Sequence, residues 1–285
     1  YYPTYINYGS HDNRGFELVL SHNNQIRDFT YRVRGNLSWA RNKVLKMTED
    51  ANVPDYKRAT GGSRGRYWGF VADGLFQSEE EIAHSAVFGP TLPGDIKLKD
   101  INGDGKITWD QDMVPIGRSN TPEMMFGLNL GAEWKGFDFN MFLQGSQGND
   151  VMNMTLYDFE SGTGYMNAHS DFLKRAWNGE GSTDKYHRIS ADQGQNQLIS
   201  DYFIEDGSYF RIKNLQIGYN FCDRLLKFKG ISYLRLYVSV QNLLTLTKYS
   251  GLDPEIGSSN ATLNGIDQGF YPQARTWTIG LNVKF

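Results

Sequence analysis

The stretch that decides the fold is Met124-Met125-Phe126-Gly127-Leu128-Asn129-Leu130-Gly131-Ala132-Glu133-Trp134, then Lys135-Gly136, then Phe137-Asp138-Phe139-Asn140-Met141-Phe142-Leu143-Gln144. Met124, Phe126, Leu128, Leu130 and Trp134 are apolar or aromatic, with Asn129 and Glu133 between them. Phe137, Phe139, Met141 and Leu143 likewise oppose Asp138, Asn140 and Gln144. Period-two alternation sends successive side chains to opposite faces of a β-strand. Two such runs separated by Lys135-Gly136 alone predict a hairpin with a two-residue turn.

The same period recurs on both sides. Upstream it runs through Phe16–Leu20 and then through Phe29, Tyr31, Val33, Leu37 and Trp39. Downstream it runs through Leu215–Phe221, Leu234–Val240 and Trp277–Phe285. Seven strands result, whose polar faces carry Arg32, Arg34, Glu133, Arg235 and Lys284. A soluble sandwich also has one polar face, so the connections carry more weight. Short links after His22, Trp134 and Phe221 alternate with long ones over 46–123, 147–208 and 247–274. Short inner turns and long outer loops mark an outer-membrane barrel, whereas compact soluble domains rarely carry such long loops. On this reading 46–123 and 147–208 are extracellular. The first and last strands run inward, residue 1 lies outside and Phe285 sits at the periplasmic rim. An odd number of strands leaves unpaired edges in lipid, so earlier strands are expected upstream. The start Tyr1-Tyr2-Pro3, without Met or leader, fits a mature product or a fragment.

Composition narrows the choice. No run of 18 apolar residues exists and mean hydropathy is -0.53, which rules out a membrane-spanning helix but not a barrel. Aromatics reach 14%, and Tyr and Trp favour membrane interfaces. A net charge of -3 and scattered Arg and Lys argue against nucleic acid as a partner. Cys222 is the single cysteine, so no internal disulfide forms.

Chemistry-bearing motifs are few. Asp100-x-Asn102-x-Asp104-Gly105-Lys106 places oxygens at alternate positions before a sharp turn, as a hard cation such as Ca2+ requires. Asp100, Asn102 and Asp104 would offer side-chain oxygens, Lys106 its carbonyl, and Asp112 or Asp110 the closing carboxylate. Position twelve itself is Gln111, so an Asx-rich turn without metal fits equally well. The five histidines show neither metal-binding spacing nor a nucleophile motif, so no enzyme is expected. Gly61-Gly62-Ser63-Arg64-Gly65 lacks the P-loop lysine and reads as a flexible loop, and Glu205-Asp206 reads as a structural loop. Ser78 begins a capped helix with Glu81 at the capping-box position, and Asp171–Trp177 forms another short helix. Residues 66–76 are a candidate extra strand. Trp68, Tyr165 and Trp177, in the long loops, are candidates to stack on a sugar or line a peptide pocket, unless they pack the loops' own core.

Ordered blocks carry a family resemblance. They include Arg14-Gly15-Phe16-Glu17-Leu18, then Gly69-Phe70-Val71-Ala72-Asp73-Gly74-Leu75-Phe76-Gln77, then Pro93-Gly94-Asp95-Ile96-Lys97 ahead of Asn102-Gly103-Asp104-Gly105. Lys135-Gly136-Phe137-Asp138, Phe142-Leu143-Gln144-Gly145-Ser146, Ile204-Glu205-Asp206-Gly207-Ser208-Tyr209 and Val240-Gln241-Asn242-Leu243 follow. Together they resemble the SusC/RagA family of TonB-dependent outer-membrane transporters over nearly the whole chain. The ending Thr278-Ile279-Gly280-Leu281-Asn282-Val283-Lys284-Phe285 is similar to the C-terminal assembly signal of outer-membrane proteins.

The resemblance implies an all-β protein, the C-terminal portion of a transmembrane antiparallel barrel of about 22 strands with a plug. Residues 1–285 would be one barrel segment, in the outer membrane of a Gram-negative bacterium of the Bacteroidetes type. It implies import of oligosaccharides or peptides with a SusD-like surface lipoprotein, driven by TonB through an N-terminal part. The remaining partners are outer-membrane lipid and the rest of the barrel. A passive porin and a soluble calcium-dependent glycan-binding β protein are the rival readings. Leu128 and Leu236 are expected to face lipid. Asn129 and Arg235 are expected to face the lumen and tolerate change.

Overall fold

A computed structural model describes residues 7–160, 167–190, 194–221, 230–257 and 263–285. Strands β1 (Ser10–Ile26) and β2 (Phe29–Lys46) open the chain. The first long connection holds β3 (Tyr67–Gly69), β4 (Ala72–Leu75), α1 (Glu79–Ala83), β5 (Ile96–Leu98), α2 (Trp109–Asp112) and β6 (Val114–Ile116). Long strands return as β7 (Met124–Trp134) and β8 (Phe137–Gln147). Next come β9 (Asp150–Asn153), α3 (Met154–Glu160), α4 (Ser170–Arg175) and β10 (Ile204–Asp206). Then β11 (Tyr209–Phe221), β12 (Tyr233–Thr247), the short β13 (Ile266–Asp267) and β14 (Thr276–Lys284) complete the chain.

The seven expected strands make one sheet in the order β1-β2-β7-β8-β11-β12-β14. Every neighbouring pair is antiparallel, so the wall is a meander without crossovers. Strands run longer than the alternation alone indicates. The first turn falls at Arg27–Asp28 rather than directly after His22, because β1 continues to pair as far as Ile26 opposite Phe29. At Lys135–Gly136 both residues have positive φ, 47° and 93°, the left-handed geometry of a tight hairpin turn. The connection after Phe221, with Cys222, lies outside the described residues up to Gly230.

Polarity across the wall is inverted relative to a water-soluble sheet. Phe16, Leu20, Trp134, Phe137, Ile217, Leu236, Trp277 and Ile279 are exposed. On the other face, Arg235 donates to both carboxylate oxygens of Asp138, at 2.5 and 2.8 Å, and both side chains are nearly enclosed. Arg235 therefore faces inward as expected, but its ion pair argues against the expected tolerance of change: its loss would strand a nearly enclosed carboxylate. Arg32 pairs with Glu133 on the same face.

Buried apolar cores lie in the connections, not in the wall. Phe70, Leu75, Ile96, Leu98, Ile107, Leu198 and Phe203 form one cluster, and Tyr67, Val114, Ile116 and Met152 another. The long links thus fold together at one end of the sheet. Residues 66–76 split into β3 and β4 rather than one strand. Phe70, between them, bonds instead to the 199–201 segment: its N–H donates to the Ile199 carbonyl (2.9 Å) and its carbonyl accepts from Asp201 N–H (3.1 Å). At α1, the Ser78 hydroxyl accepts from Glu81 N–H at 3.2 Å, and the Glu81 carboxylate accepts from Gln77 N–H at 2.9 Å. The cap forms as expected, displaced by one residue in its return bond.

Candidate functional site

Between the second and third long connections lies a cavity of about 940 Å³. Its floor is set where β9 meets α3. Asn153 Oδ1 accepts from Leu156 N–H at 2.9 Å and so caps the first turn of α3. The Asn153 amide donates to Glu205 Oε1 at 2.8 Å, and Ser250 holds the same carboxylate through its hydroxyl (2.6 Å) and its N–H (2.7 Å). Two segments distant in sequence converge on Glu205.

Charges of both signs line the walls. Arg175, at the end of α4, stands 4.5 Å over the Tyr186 ring, with Lys185 5.2 Å from the same ring. Lys248 and Asp184 also face the space, beside Leu156, Phe159 and Leu252. Glu160 is enclosed, and burial pushes its carboxyl up to about 7, against the opposing pull of the Tyr202 hydroxyl and Arg175. Tyr202 donates to Glu160 Oε2 at 3.4 Å. A cavity with apolar, aromatic, cationic and anionic walls suits a ligand carrying several polar groups on an apolar frame.

A second network pins the third connection to the wall. Arg211, 2% exposed, reaches Asp253 at 2.5 Å, Glu255 at 2.7 Å and the Thr245 hydroxyl at 2.8 Å. Lys213 joins it at Glu255, 2.7 Å away. A β-bulge makes room: β11 carries one residue more than β8 between Ile212 and Asn214.

The aromatic candidates are dispersed. Trp68 is exposed on β3, opposite Pro115, and does not line the cavity. Trp177 packs on the loop core beside Gly94, and its indole N–H donates to Gln77 Oε1 at 3.0 Å. Tyr165 lies outside the described residues. Tyr186, one of the long-loop aromatics, does line the cavity, and so does Glu205, which the sequence reads as a structural loop residue; Glu160 and Arg175 also line it and escaped the sequence reading. The one available signal was the clustering of charged and aromatic residues within a single long loop.

In the acidic loop, Asp100 accepts from Gly103 and Gly105 N–H, each at 2.7 Å, and Asp104 Oδ1 accepts from Lys106 N–H at 2.9 Å. The Asn102 amide donates to Asp104 Oδ2 and Gln111 Oε1, both at 2.9 Å. Asp112 is fully buried and accepts from Ile101 N–H (2.9 Å) and Thr108 N–H (2.8 Å), tying the two ends of the loop together. Asp110 is exposed on α2. Among the described residues, no three His, Cys, Asp or Glu side chains gather as a metal cluster.

No family model matches the chain. Curated relatives do. TonB-dependent receptor P3 of Formosa agariphila is 34% identical over 98% of this chain and 29% of its own length. TonB-dependent receptor SusC of Bacteroides thetaiotaomicron is 29% identical over 98% of this chain and 27% of its own. The chain thus spans under a third of the length of these relatives. Its fold matches a solved structure of the RagAB peptide transporter with a TM-score of 0.75 at 24% identity, covering 100% of this chain and 30% of that one. By the sequence likeness over nearly its whole length and the shared barrel fold, the chain is a C-terminal barrel segment of the SusC/RagA family of TonB-dependent receptors.

Proposed function

We propose that this chain supplies wall, outer loops and part of the ligand chamber to an outer-membrane importer of oligosaccharides or peptides. The observation that supports the membrane placement best is the inverted polarity of the wall. Its exposed face is apolar and aromatic, and its inner face holds nearly enclosed ion pairs. In lipid that arrangement is the stable one. The cavity among the outer loops supports a role in ligand capture. The TonB-dependent relatives favour energised import over passive flow. In this reading TonB acts through a part of the receptor beyond this segment, and a SusD-like lipoprotein closes over the loops.

Uptake of labelled peptides and oligosaccharides by cells carrying the complete receptor tests the reading. Import should stop when the proton-motive force is collapsed, and Arg175→Ala with Tyr186→Ala should weaken it. Unchanged uptake without that force would indicate a passive porin. Full uptake by the double variant would remove the cavity from the mechanism.

Calcium at the Asp100–Asp112 loop is a separate proposal. Its support is the crowding of oxygens from Asp100, Asn102, Asp104 and Gln111, with the Asn102 amide nitrogen now bridging two of them. Binding requires that amide to turn its oxygen inward, with the Lys106 carbonyl completing the set and Asp112 holding the loop from beneath. Titration calorimetry of the complete receptor should then show one site with Kd of about 10⁻⁴–10⁻³ M, lost in Asp104→Ala. No heat in millimolar Ca2+ leaves the loop as a hydrogen-bonded turn.

A further inference from the structure

The outer face of the first hairpin changes character near its loop end. Register pairs Phe16 with Trp39, Arg14 with Arg41, and Asp12 with Lys43. Directly opposed residues share a face, as do alternate residues along one strand. Arg14, Arg41 and Lys43 therefore stand on the same face as Phe16, Leu18, Leu37 and Trp39. From Phe29 to Trp39 the β2 half of that face is apolar, aromatic or glycine, and on β1 only Asn24 and His22, near the turn, interrupt it. Ten residue steps correspond to about 33 Å along the strand, or about 25 Å of height at the usual tilt, the thickness of a barrel's apolar band.

Trp39 closes the band. Its ring stacks on Phe16 at 5.9 Å, and the Arg41 guanidinium lies 5.4 Å from its centroid. Arg41 and Lys43 follow about 7 and 13 Å further along the strand. They border a groove of about 490 Å³ whose other side is the Gly61–Ser63 loop. That loop is fixed to the strand: Gly61 N–H donates to the Val44 carbonyl (2.8 Å), and Val44 N–H to the Gly62 carbonyl (2.9 Å). Arg14 pairs with Asp12 at 2.5 Å and Arg41 with Glu123 at 2.9 Å, yet both arginines stay mostly exposed with donors to spare. Among the described residues, Lys43 has no carboxylate partner. The groove therefore carries a surplus of positive charge at the headgroup level, on the lipid side, at the end where the long loops leave the wall.

We propose that this groove holds the phosphates of an anionic glycolipid of the outer leaflet, with Arg41 and Lys43 as the main contacts and Arg14 beside them. An aromatic residue at the edge of the apolar band followed by cations matches the order of acyl chain, interface and phosphate in such a lipid. The inference rests on the membrane placement argued above, and the test separates the two. The complete receptor is reconstituted in phosphatidylcholine nanodiscs containing bis-phosphorylated lipid A, or its dephosphorylated form, and retained lipid is counted by native mass spectrometry after detergent extraction. Wild type should retain the phosphorylated form. Arg41→Glu/Lys43→Glu should retain roughly thirtyfold less or lower still, while Lys174→Glu, on α4, should behave as wild type. Heat-modifiable migration reports assembly independently; if the reversal variant fails to assemble, Arg41→Gln/Lys43→Gln replaces it in the same measurement. Equal retention by wild type and an assembled double variant, equal retention of dephosphorylated lipid A, or displacement by millimolar inorganic phosphate would each overturn the proposal. Failure of wild type to enter nanodiscs would instead refute the membrane placement.

Discussion

Arg211 shows how costly a single inner-face charge is to disturb. It is almost fully enclosed and answers two carboxylates at once. Arg211→Ala would leave Asp253 and Glu255 facing each other without their shared cation, at a cost of about 3–5 kcal/mol. The complete receptor should lose that stability in a denaturant titration, and protease should cut faster within 248–275. Arg211→Lys should recover only part, because one ammonium cannot reproduce the forked geometry that reaches Asp253, Glu255 and Thr245. Glu160 makes a pH prediction. Its carboxyl in the folded protein titrates at about 7, above the ordinary value of 4.5. A raised value means that the folded state holds the proton more tightly than the unfolded chain. This group therefore adds stability below about 4.5 and loses that contribution as pH rises through 7. Between pH 5 and 8 the wild type should lose up to about 3 kcal/mol more than Glu160→Gln. Parallel melting curves for the two proteins across that range would refute the assignment.

At the level of the strand, facing governs tolerance. Leu236 is exposed on the apolar face, and Leu128 shares that face through its register with Leu143. Leu128→Arg and Leu236→Arg should each impair assembly by about 2–4 kcal/mol, read as lost heat-modifiable barrel. Asn129→Ser, on the inner face, should assemble normally. Arg235→Ala should not, because Asp138 would keep its charge without a partner. The hairpin turn is equally specific. A Cβ on Gly136, already at φ 93°, would stand 2.8 Å from the Asn220 carbonyl on β11. The turn thus fixes the register of β7 on β8 and also its fit against the next strand.

The whole molecule is a wall carrying a folded cap. Of the wall's seven strands, β1 and β14 each pair on one side only. Unpaired backbone groups are prohibitive in lipid, so the segment needs the remaining strands of its barrel to span a membrane. Residues 1–285 refolded alone in detergent are therefore expected to aggregate or remain open to protease. A monodisperse, protease-resistant monomer would show that the segment closes on itself. The cap has its own apolar cores, built from segments more than 100 residues apart, such as Phe70 with Phe203.

The wall was legible in the sequence because its rule is local. Period-two alternation, a glycine-bearing turn and a serine cap each depend on neighbours a few residues away, and the family blocks lie within single strands and loops. From these alone came seven strands, their faces and the membrane-barrel class. Tertiary structure decided what depends on distant partners. Trp177 is a packing residue because Gln77, 100 positions earlier, accepts a hydrogen bond from its indole N–H. Residues 66–76 divide because Phe70 finds its backbone partners in the 199–201 segment. Arg211 is buried because Asp253 and Glu255 arrive from a loop that follows a whole strand later. Glu160 has its unusual proton affinity because folding removes its water, and removal of water is a property of the enclosing loops, written in no short stretch of the chain.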